Sequence, residues 1–61
     1  MKPYKFTAFE QTGKLILEET WEFPNDEEAK QQGEAVIDEK GFANKTYRLV
    51  NSSGKLVLFH V

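Results

Sequence analysis

Sixty-one residues, 39% of them hydrophobic and 30% charged, make a globular composition that suffices for one core and excludes two lobes with a cleft between them. The absence of cysteine excludes a disulfide framework and a thiolate metal site, so a single domain over residues 1–61 must be held by packing, worth about 3–5 kcal/mol at this length. The net charge of −2 excludes a uniformly basic surface, yet the charges are sorted: +2 over Met1 to Leu17, −8 over Glu18 to Glu39 and +4 over Lys40 to Val61.

In chain order, Tyr4 to Glu10 alternates as a strand should, and Leu15 to Phe23 is a second apolar and aromatic strand. Gln11-Thr12-Gly13 turns between them. Pro24 stops the second strand and Asn25 opens a helix as its N-cap, with Glu28 in the capping-box position and Asp26, Glu27 and Glu28 on the favourable end of the helix dipole. Ala29, Gly33, Val36 and Ile37 form its apolar stripe, and Lys40-Gly41 closes it. A glycine inside a helix costs about 1 kcal/mol, so Gly33 marks a close approach to a bulky group, for which Trp21 is the candidate.

Ala43 to Asn51 reads as a third strand, Ser52-Ser53-Gly54 as its turn, and Lys55 to Val61 as a fourth strand that is apolar on both faces, as a central strand is. The predicted fold is α+β: ββαββ, a four-stranded sheet with one helix across one face. Its layout resembles the immunoglobulin-binding domains of streptococcal protein G, which would pair the first and last strands in parallel at the centre; an antiparallel meander is the alternative. FTAFEQTGKLIL (Phe6 to Leu17) and YRLVNSSGKLVL (Tyr47 to Leu58) are alike, a likeness that shared turn rules alone would produce.

Register decides the surface. A three-residue turn closed by Gly13 pairs Glu10 with Lys14, Phe9 with Leu15 and Ala8 with Ile16, and leaves Phe9, Leu15 and Leu17 on the open face beside Leu56 and Leu58. A two-residue turn would pair Ala8 with Leu17 and Tyr4 with Trp21 and bury Leu17. A bulge near Glu18-Glu19 would reconcile the glycine turn with an inward Trp21. The three-residue turn is preferred. In the second hairpin the same turn pairs Asn51 with Lys55 and sets Tyr47, Leu49, Val57 and Phe59 inward.

No catalytic constellation emerges. Thr12-Gly13-Lys14 and Ser53-Gly54-Lys55 lack the earlier glycine and the following hydroxyl of a phosphate loop, and they precede strands. His60 is the lone histidine and has no thiol or second imidazole to complete a zinc site. Glu18, Glu19 and Glu22, and Asp38 with Glu39, read as a solvated acidic surface, because acid-base work requires a concave, partly dry site. The expectation is a non-enzymatic interaction or regulatory module without metal or cofactor. It would bind a protein partner, or a second copy of itself, through Phe9, Leu15, Leu17, Leu56 and Leu58. The alternative is single-stranded nucleic-acid binding through Lys5, Lys45, Arg48 and Lys55, which the acidic total disfavours. No small-molecule site is evident.

Met1 to Lys5 begins no secretory signal and no run reaches a membrane span, so the expectation is a cytoplasmic protein. The length and the terminal GKLVLFHV, Gly54 to Val61, resemble the YhzD-like family, short uncharacterised proteins of spore-forming Gram-positive bacteria. That resemblance implies a bacterial origin and brings no activity, site or cofactor.

Overall fold

A computed structural model describes residues 1–60. Its elements are β1 (Lys2–Phe9), β2 (Leu15–Phe23), α1 (Asp26–Glu39), β3 (Thr46–Val50) and β4 (Leu56–His60). The expected ββαββ arrangement is present, with the third strand three residues shorter at its start; Val61, assigned above to the fourth strand, lies outside the described residues.

The sheet is antiparallel throughout, in the order β2-β1-β3-β4. The central pair is thus β1 with β3, neither the parallel first and last strands of the protein G layout nor the sequential order of a simple meander. The helix carries the chain back along the sheet, so β3 runs parallel to β2 with β1 between them, a split β-α-β unit. Placing β3 at the centre buries Leu49 completely and sets the Tyr47 ring 6.2 Å from that of Phe6. In consequence β4, apolar on both faces, is an edge strand and not a central one.

Both hairpins use the three-residue glycine turn. Glu10 N–H donates to Lys14 O at 2.8 Å and Gly13 N–H to Glu10 O at 2.8 Å; in the second hairpin Asn51 N–H reaches Lys55 O and Gly54 N–H reaches Asn51 O, each at 2.9 Å. Gly13 and Gly54 take φ of +91° and +83°, which side chains with a Cβ rarely adopt. One residue past each turn the register slips. Phe9 opposes Leu15 but Ala8 opposes Leu17; Val50 opposes Leu56 but Leu49 opposes Leu58. Ile16 and Val57 are the extra residues of two β-bulges. The first bulge reconciles the glycine turn with Tyr4 opposite Trp21, but it lies at Ile16 and not near Glu18-Glu19.

The two hairpins therefore match in turn, bulge and register. Along the central seam Phe6 opposes Leu49, Thr7 opposes Arg48 and Ala8 opposes Tyr47. This pattern maps onto itself when FTAFEQTGKLIL is exchanged with YRLVNSSGKLVL. An approximate two-fold axis passes through the Thr7–Arg48 pair.

Asn25 Oδ1 accepts the Glu28 N–H at 2.8 Å, as an N-cap should, while the Glu28 carboxylate accepts from Gln32 Nε2 at 2.6 Å in place of closing a capping box. At the other end Phe42 N–H bonds Ile37 O at 3.0 Å and Gly41 N–H bonds Asp38 O at 3.1 Å, a full Schellman motif that turns the Phe42 ring onto the core. Ala29, Gly33 and Ile37 are buried against the sheet. The group pressing on Gly33 is not Trp21. A Cβ there would meet Leu58 Cδ1 at 3.0 Å and Leu49 Cδ2 at 3.1 Å. Trp21 instead stacks on Phe6, with centroids 4.2 Å apart and planes at 11°.

Candidate functional site

The bulges decide which side chains reach the outer sheet face. Beyond Val57 the alternation inverts, so Leu58 faces the helix at 7% exposure while Phe59 points outward at 62%. Both assignments reverse the expected ones. Leu17, opposite Ala8, is likewise half-buried against the core. Of the five patch residues, Phe9, Leu15 and Leu56 thus remain on the open face, Leu17 and Leu58 leave it, and Phe59 joins it. The missed signal was the repeated GKLIL and GKLVL, whose unbroken apolar run accommodates an extra residue without burying anything polar.

On β3 and β4 an open groove of about 380 Å³ is lined by Thr46, Tyr47, Arg48, Val50, Gly54, Leu56, Phe59 and His60. Leu56 is 44% exposed, and Arg48, directly across from Phe59, is exposed beside it. Leu15, 51% exposed, sits on the opposite hairpin next to Phe9. The open face therefore carries two apolar areas separated by Thr7 and Arg48, not one continuous leucine patch.

The candidate basic residues are dispersed. Lys5 Nζ lies 3.5 Å from Glu18 Oε2, and Lys45 Nζ lies 3.7 Å from Glu10 Oε1. Lys55 sits in the second turn and Arg48 in the groove. His60 stacks on Tyr47 at 5.7 Å, and its Nδ1 lies 3.0 Å from the Lys45 carbonyl, which only accepts, so Nδ1 carries the proton.

One polar junction went unread in the sequence. The Tyr4 hydroxyl donates to Asp26 Oδ1 at 2.6 Å and Asn51 Nδ2 donates to Asp26 Oδ2 at 3.2 Å, while Asn51 Oδ1 accepts the N–H groups of Ser53 and Lys55 at 3.0 and 2.8 Å. The junction ties the first strand, the helix start and the second turn together. The hydrogen bond to Asp26, then burial and the carboxylate charge, pushes the Tyr4 hydroxyl up to about 12. The same bond, helped by Asn51 and by the charges of Lys2 and Lys55, outweighs burial and holds the Asp26 carboxyl below its ordinary 3.8.

The linkage has opposite signs at the two groups. The Tyr4 contribution is complete below its ordinary value of 10.0 and is lost as pH rises toward and through about 12. The Asp26 contribution is complete above 3.8 and is lost as pH falls through its lowered value. Urea midpoints should therefore decline at both extremes, and Tyr4→Phe should flatten the alkaline limb. An alkaline limb unchanged in Tyr4→Phe would assign it elsewhere.

Fold and site together define a small two-layer α+β domain with a grooved, partly apolar sheet edge. Among the described residues no three His, Cys, Asp or Glu side chains gather as a metal site, and no helix is long and apolar enough to cross a membrane. The chain belongs to the YhzD-like protein family, whose model matches residues 1–61. It is similar to a protein of Bacillus subtilis (strain 168) described as uncharacterized protein YhzD, with 43% identity over 60 residues covering 98% of each chain. No solved structure matches.

Proposed function

We propose that this protein is a non-catalytic interaction module that contacts another protein through the outer face of the β3-β4 hairpin. The observation that carries this reading is the exposure of Phe59, a large ring at 62%, beside Leu56 in an open groove of about 380 Å³. Exposed rings of this kind, flanked by an arginine, resemble the anchors of contact surfaces. Self-association through the same face is one form of the proposal. Nucleic-acid binding draws less support, since Lys5 and Lys45 already hold carboxylates and the basic residues do not converge.

Affinity capture from the source bacterium tests the reading. A specific partner should be retained by the wild-type chain and by Leu15→Glu, on the other hairpin, and lost with Phe59→Glu, each variant being checked for native circular dichroism. Capture indifferent to Phe59→Glu would sink the proposal.

A further inference from the structure

We draw no further inference here: the strongest candidate, the apolar edge of β4 with the groove around Leu56 and Phe59, belongs to the contact surface already described, and nothing in the structure shows what covers it.

Discussion

Phe6→Ala should leave most of the chain unfolded at 25 °C. Phe6 is fully buried on a central strand, opposite Glu19 on β2 and Leu49 on β3, and its ring is the hub of the aromatic core. Trp21 stacks on it at 4.2 Å, and the rings of Phe42 and Tyr47 lie 6.3 and 6.2 Å away. Removing the ring strips contact from β2, β3 and the loop after α1 at once and leaves a cavity that no neighbouring strand can fill without breaking register. A buried Phe→Ala change costs about 3–5 kcal/mol. A core of this size supplies about the same amount in total. Loss of the near-ultraviolet tryptophan signal and of cooperative urea unfolding would bear this out. A cooperative transition with a loss under about 1 kcal/mol would mean that the core can close over the gap.

The second large effect is expected at Gly33. A valine there must place its Cβ 3.0 Å from Leu58 Cδ1 and 3.1 Å from Leu49 Cδ2, with two further methyl groups beyond it, so helix and sheet have to separate. Overpacking of this kind costs about 1–3 kcal/mol. Gly33→Ala is the finer probe. The Cβ gains about 1 kcal/mol of helix propensity, and the two leucine methyl groups need yield by only a few tenths of an ångström. The gain and the squeeze should nearly cancel. Urea midpoints for the alanine variant near wild type and for the valine variant well below it would confirm the contact. A valine variant as stable as wild type would refute it.

Those two sites also mark where sequence reasoning ends. The turns at Gly13 and Gly54, the cap at Asn25 and the stripe Ala29, Gly33, Val36 and Ile37 were legible because each is decided by local chemistry within a few residues. That Gly33 needs a close neighbour was legible too. Which neighbour it meets was not, since that depends on strand order. A run such as Leu56 to Phe59 is apolar at every position, so periodicity is silent about which side faces the helix. One extra residue at Val57 then exchanged Leu58 and Phe59 and moved the exposed ring. The same run suggested a central strand, yet β4 lies at the edge of the sheet, because burial of Leu58 under the helix requires only one of its faces. The Tyr4, Asp26 and Asn51 junction joins residues far apart in the chain and leaves no local trace.

The axis through Thr7 and Arg48 has a further consequence for experiment. Each hairpin position has a twin in an equivalent backbone setting, so the molecule contains its own reference surface. Glu18 is the twin of Phe59, and exchanging the two keeps length, composition and net charge unchanged while it moves the ring to the first hairpin and the carboxylate from beside Lys5 to a position across from Arg48. Two substitutions thus separate the influence of the ring's position from that of its presence.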